Sequence, residues 1–244
     1  MLKSNLKYIM PLLRIARRYF RVSVSGFENI PSGAALLVAN HSGGMSGSDI
    51  AFAATYYERF GIEPPLPILA HRSYFRYPVV ARLAASFGAV NADPVSAHAL
   101  LAEGKKVLVY PGGDHEAFRP FSKADHIDFH GHRGFVRLAL GAGVPIVPIV
   151  STGAHRAVII LAQGRGIARR LKSWGLWPFD NFPVVLCLPW LIAIGPIAAL
   201  PCIPWPVRIR IRIGLPIAPS ELGDECSGYD LVVARMYDER QMTG

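Results

Sequence analysis

An α/β fold, built on a single mixed and largely parallel sheet flanked by helices, is predicted by three features of the 244-residue sequence. Short β-rich runs alternate with stretches of helical periodicity along most of the chain, the order that lays helices on the faces of a sheet. Two of the β-runs end in glycine turns, "NHSGG" and "YPGGD", and in such sheets the loops leaving strand ends are where ligands collect. A 51% apolar composition supplies a sizeable core for one domain with a small appendage.

The elements follow in order. Residues 1–22, "MLKSNLKYIMPLLRIARRYFRV", carry Lys3, Lys7, Arg14, Arg17, Arg18 and Arg21, with no acid before Glu28. Placing Leu2, Leu6, Ile9, Leu13, Ala16 and Phe20 on one helical face leaves most of the basic residues on the other, the pattern of a helix lying in a membrane interface and kinked at Pro11. The same pattern serves a helix that packs its apolar face on the domain, and the two roles can coexist. The stretch lacks the apolar core and small-residue cleavage site of a secretory signal. Residues 23–244 then form one domain. Strands are expected at 36–39, 67–70, 107–110, 144–150 and 157–161, and helices at 49–59, 77–86, 95–103, 134–142 and 231–240.

Residues 182–207, "FPVVLCLPWLIAIGPIAALPCIPWPV", contain no charge and are long enough to span a bilayer. Six prolines break that run, so it reads as a buried strand at 184–188 followed by an apolar loop at lipid. "RIRIRI", residues 208–213, alternates strictly and marks a strand with one buried and one basic face, the basic face meeting either solvent or an anion.

With 26 Lys and Arg against 17 Asp and Glu, the chain carries a formal charge of +9, which suits a membrane surface, a nucleic acid or a phosphorylated ligand. A mean hydropathy of +0.29 shifts the balance toward lipid. Cys187, Cys202 and Cys226 form no C-x-x-C pair, so neither a disulfide framework nor a zinc knuckle is indicated, and a reducing compartment fits.

In "LLVANHSGGMSGSDI", residues 36–50, the apolar run delivers Asn40 and His41 to the rim of the sheet, and Asp49 follows at the start of a helix. A histidine acting as general base needs its second ring nitrogen held by an acceptor, and a carboxylate does this while stabilising the imidazolium that forms. Gly43, Gly44 and Gly47 let the turn fold back and bring Asp49 to His41. The plainer assignment makes Asp49 a helix N-cap and His41 a turn residue.

"VANHSGGMSGSD", then "VYPGGDHEAFRP", then "GHRGFVRLALGAGVPIVPIVSTGAH" resembles the glycerolipid and phospholipid acyltransferase family, in a divergent branch that includes diacylglycerol acyltransferase-like members. The match spans about residues 24–215 in the family's order. The resemblance implies a membrane-associated enzyme that moves a fatty acyl group from acyl-CoA or acyl carrier protein to a hydroxyl of a glycerolipid. It implies His41 as the base and Asp49 as its orienting carboxylate. Asn40, Ser42, Gly43 and Gly44 of the first block, Tyr110, Pro111, Gly112 and Gly113 of the later block, and Arg119, His132 and Arg133 nearby are implied around the substrates. It implies a place on the cytoplasmic face of a membrane, with the membrane surface, the acyl donor and the lipid acceptor as partners. No nucleic acid, metal or cofactor enters, the acyl donor being a co-substrate.

The sequence departs from the family pattern in three places, one of them the second block, which normally ends in an arginine and here reads "GAVNAD". Seven residues separate His41 from Asp49, where four are usual. The usual Glu and Arg of the later block are replaced by Gly112, Gly113, Asp114 and His115. That arginine holds the phosphate of a phosphorylated acceptor in the family, so the acceptor here is either a neutral hydroxyl lipid or one whose phosphate meets Arg119 or Arg133. Two alternatives stand beside the enzyme: a non-catalytic lipid-binding protein of the same fold, and a metal-dependent hydrolase built on the histidine-rich loop 115–132, where His126 and His130 are four apart.

Overall fold

Helix-forming and strand-forming stretches fall where the periodicity places them. The computed structural model describes residues 5–41, 48–62, 65–71, 75, 78–86, 88–177, 180–195, 197 and 203–243. Ten strands are present among these residues: β1 Ser23–Ser25, β2 Ala35–Ala39, β3 Ile68–Ala70, β4 Ala89–Asn91, β5 Lys106–Val109, β6 Ile146–Thr152, β7 Ile159–Ala162, β8 Val184–Cys187, β9 Leu191–Ile194 and β10 Arg210–Ile213. The helices are α1 Asn5–Tyr19, α2 Ser48–Phe60, α3 Pro78–Ser86, α4 Pro94–Ala102, α5 Gly113–Ala117, α6 Gly134–Ala142, α7 Arg165–Ser173, α8 Pro219–Leu222 and α9 Glu225–Gln241.

Seven strands form the main sheet in the order β1-β10-β6-β2-β5-β3-β4. All neighbours are parallel except β10 and β6, so the sheet is mixed and largely parallel. The central strand β2 is covered on both faces, which is why it is apolar and buried at every position. Leu37 and Ala39 of β2 pack with Leu13, Phe52 and Tyr56 on the α1–α2 side. Leu36 and Val38 point the other way and pack with Ala139, Val232 and Met236 of α6 and α9. Truncating one such side chain to Ala costs about 2–5 kcal/mol.

Helix α9 begins well before the expected 231. Asp224 caps it, Oδ1 accepting from the backbone N–H groups of Cys226 and Ser227 at 2.8 Å. Gly228 lies buried where a Cβ would press on Val136, so it allows α9 to close on α6. Strands β1, β4 and β9 and helices α5 and α7 are further additions; three or four residues of strand are too short to show a period.

Two apolar regions behave differently from expectation. Of the apolar row expected to face the membrane, Leu13 of α1 and Phe20 just after it are buried and Ala16 packs against them, so these three face the domain, with Arg17 paired to Glu58 of α2; the side chains of Leu2, Leu6 and Ile9 lie outside the described residues. A second row, Tyr8, Leu12, Ile15 and Tyr19, is exposed. In residues 182–207, β8 appears as expected, and β7, β8 and β9 form a separate antiparallel sheet. Among the described residues no helix is long and apolar enough to cross a membrane. Cys187 is disulfide-bonded, which corrects the reading that the cysteines form no disulfide, whereas Cys226 is free and exposed.

Candidate active site

The C-terminal edge of the parallel strands gathers the chemistry. Asn40 directly follows β2, and its amide is consumed structurally: Nδ2 donates to the Ser151 carbonyl at 3.0 Å and Oδ1 accepts from the Ser151 N–H at 2.7 Å. Buried to 4% exposure, Asn40 therefore clamps β2 to β6, which corrects its assignment as a substrate-binding residue. The clamp fixes the point at which the next residue, His41, leaves the sheet.

His41 Nδ1 lies 3.4 Å from Asp49 Oδ1. That is long for a hydrogen bond and within reach of an ion pair. Asp49 sits in the first turn of α2, where the helix dipole favours its anion. Burial pushes its carboxyl above the usual range, opposed by the neighbouring His41 and by hydrogen bonds from Ser48 and Tyr110. The Ser48 hydroxyl donates at 3.0 Å. Tyr110, immediately after β5, stacks its ring 4.7 Å from that of His41 at 32°, and burial, together with the charge of Asp49, drives its phenol well above its ordinary value. The phenol therefore stays a donor to Asp49. With Nδ1 turned to a carboxylate, Nε2 is the ring nitrogen left to take a proton.

Beneath His41 lies an acid that the sequence reading did not place in the site. Glu116 of α5, 1% exposed, accepts the backbone N–H of His41 on Oε2 at 2.8 Å. Its Oε1 accepts from Arg119 Nη1 at 3.1 Å and from the Asp128 N–H at 3.4 Å. Burial pushes the Glu116 carboxyl up to about 7, against the pull of Arg119 and these donors. Glu116 fits because residue 112 is glycine: any Cβ there would collide with the Glu116 side chain. The available signal was the Glu-x-x-Arg spacing within "DHEAFRP", which puts the two groups on one helical face.

Arg119 is 5% exposed and spends its guanidinium on Glu116 and on the Ala124 carbonyl. It cannot meet a substrate, a second correction. His155 stands within 2.5 Å of the Arg119 carbonyl through Nε2, and burial first of all lowers its pKa to about 4. Pro111, Gly112 and Gly113 border Tyr110 as expected, and His132 Nδ1 lies 2.8 Å from the Pro111 carbonyl. Arg133 is exposed at the start of α6. Ser42, Gly43 and Gly44 lie outside the described residues.

The histidine-rich loop does not form the helical ligand pair, since residues 125–132 are not helical. His130 instead pairs Nδ1 with Asp128 at 2.9 Å and brings Nε2 to 3.1 Å from Arg165. Among the described residues, the one group of three acid and histidine side chains close enough to share an ion is Asp114, His115 and Asp180, and Lys172 already pairs with Asp180.

Comparison with known proteins agrees with this architecture. The fold matches that of the 1-acyl-sn-glycerophosphate acyltransferase PlsC from Thermotoga maritima, with a TM-score of 0.57 and 18% identity over 97% of this chain and 80% of that one. Residues 21–152, more than half of the chain, match the family model described as Acyltransferase. The chain belongs to the acyltransferase family. An uncharacterized protein of Mycobacterium tuberculosis is 30% identical over 98% of this chain and 64% of its own length, so the chain spans just under two thirds of that relative. The human 2-acylglycerol O-acyltransferase 3 is 28% identical over 64% of this chain and 46% of its own. For the human diacylglycerol O-acyltransferase 2 the figures are 27%, 69% and 44%.

Proposed function

We propose that the chain transfers a fatty acyl group from acyl-CoA, or from acyl carrier protein, to the hydroxyl of a glycerolipid, and that it does so at the cytoplasmic face of a membrane. The observation that carries this reading is the approach of His41 Nδ1 to Asp49 Oδ1 at 3.4 Å, with the Tyr110 phenol on the same carboxylate. His41 Nε2 takes the proton of the acceptor hydroxyl as its oxygen attacks the thioester carbonyl. A C–O bond forms, the C–S bond breaks, and the imidazolium returns the proton to the departing thiolate. Asp49 holds the imidazole tautomer and stabilises the cation.

A neutral acceptor is the better fit. Arg119 is buried against Glu116, and the human relatives are named for acylation of acylglycerols. Membrane contact draws support from apolar side chains left in water. Tyr8, Leu12, Ile15 and Tyr19 line the outside of α1, and Trp190, Leu191, Ile192 and Ile194 line the β8–β9 hairpin. The Tyr19 hydroxyl donates to the Pro204 carbonyl at 2.6 Å, joining the first row to the apolar segment that carries Ile203 and Trp205. A surface of this size suits lipid better than water.

The test is thiol release from long-chain acyl-CoA by purified protein, offered neutral and phosphorylated hydroxyl lipids in vesicles, with His41→Ala in parallel. Release that requires a neutral lipid and disappears in His41→Ala supports the proposal. Full activity in His41→Ala removes the base from the mechanism.

A further inference from the structure

The alternation in "RIRIRI" left its basic face open to either solvent or an anion. Ile209, Ile211 and Ile213 are buried on the α1–α2 side, so Arg208, Arg210 and Arg212 face the C-terminal end of α9. Arg212 is neutralised there by Glu239. Arg208 and Arg210 instead join Arg156 and Arg240 around a cleft of about 670 Å³ in which Asp125 is the one acid. Asp125 is taken by Arg240 at 2.7 Å. Among the described residues no carboxylate pairs with Arg156, Arg208 or Arg210.

Local backbone structure builds this cluster. Gly153, at φ +86, follows β6, and a Cβ there would collide with the Arg208 carbonyl; glycine lets the turn carrying Arg156 lie directly against the segment that carries Arg208 into β10. Three guanidinium groups gathered without a counter-charge repel one another, and an anion with several charges relieves that repulsion.

The cleft extends toward Asn40, the residue that precedes the base. A small cavity lined by Asn40, Ser151 and His155 shares Asp125, Thr152, Gly153 and Arg240 with it. β10 lies two places from β2 in the sheet, about 10 Å at the usual strand spacing. That offset exceeds the few bonds between a glycerol hydroxyl and its own phosphate. It suits a ligand whose phosphates are separated from the reacting carbonyl by a long flexible arm.

We infer that Arg156, Arg208 and Arg210 bind the phosphate groups of the acyl donor, the diphosphate and ribose phosphate of coenzyme A, while its thioester reaches His41. This rests on the proposed acyl transfer for the identity of the ligand, and on the cleft alone for its phosphate chemistry.

Binding of coenzyme A, of pantetheine, of a lysophosphatidate and of anionic phospholipid vesicles to the full chain is measured for wild type, Arg208→Gln/Arg210→Gln, Arg156→Gln and the remote control Arg169→Gln, with thermal melts to verify folding. Coenzyme A affinity falls at least tenfold in the double variant and less in Arg156→Gln, stays level in Arg169→Gln, and weakens steeply with salt in wild type; pantetheine, lacking the phosphates, responds to none of the changes. Equal coenzyme A affinity in wild type and the folded variants overturns the inference. So does a loss confined to lysophosphatidate or to vesicles, which transfers the cleft to a lipid phosphate. Wild-type protein that binds coenzyme A through these arginines but transfers no acyl group removes the proposed reaction and leaves the cleft. Active enzyme whose donor KM is unchanged in the double variant does the reverse.

Discussion

The backbone N–H of His41 donates to Glu116 Oε2 at 2.8 Å while its ring Nδ1 faces Asp49 at 3.4 Å. One acid holds the main chain of His41, the proposed base, and another faces its ring. The two come from different glycine-turn motifs, so both motifs converge on a single residue. Glu116 touches no reacting atom in this arrangement and acts by positioning.

Glu116→Ala leaves Arg119 buried without its partner and frees the His41 N–H. Breaking a buried pair in this way costs about 3–5 kcal/mol, which urea denaturation reads as a large drop in midpoint. Glu116→Gln keeps an acceptor for His41 and loses less. A midpoint unchanged in Glu116→Ala would mean that the pair supports nothing.

Asp49→Asn preserves size but no longer holds the productive imidazole tautomer, so kcat falls on the order of 10²–10⁴-fold with a small change in melting temperature. Tyr110→Phe removes one donor to the same carboxylate and costs about tenfold at most. Because both act through Asp49, the double variant loses little beyond Asp49→Asn alone. Strict additivity of the two effects in steady-state kinetics contradicts the shared-carboxylate arrangement.

His155 gives the fold a dependence on pH. Its pKa is lowered by burial from 6.5 to about 4, so its contribution is fully present above pH 6.5 and is lost as pH falls toward 4. Glu116 works in the opposite sense: raised from 4.5 to about 7, it makes the fold less stable as pH rises through that window. The wild-type protein shows the sum, and comparison with His155→Gln isolates the histidine. Melting temperatures of His155→Gln lose less than wild type between pH 6.5 and 4; parallel curves would contradict the buried neutral histidine.

Asn40→Ala removes both hydrogen bonds to Ser151 and strands its buried N–H and carbonyl, a loss of about 1–3 kcal/mol. Hydrogen exchange at the β2–β6 end accelerates, and kcat declines because His41 is less firmly placed. Should kcat hold while KM for the acceptor rises, Asn40 would be a substrate contact after all.

Sequence alone determined the fold class, the longer strands and helices and the pairing of His41 with Asp49, because strand and helix periods are local and because the resemblance rests on short contiguous motifs. Helix α6 falls on residues 134–142 as expected, since its apolar spacing and the glycine that ends it at 143 are legible within ten residues. What chain order could not display is which polar side chains meet after folding. Asn40 and Ser151 are 111 positions apart and His41 and Glu116 are 75, so their pairing depends on parallel strands closing the distance. Burial decided the rest. It turned Arg119 from a substrate contact into a structural partner, and it sent the arginines of β10 to the face by α9, because the sheet has two covered sides and only packing selects between them.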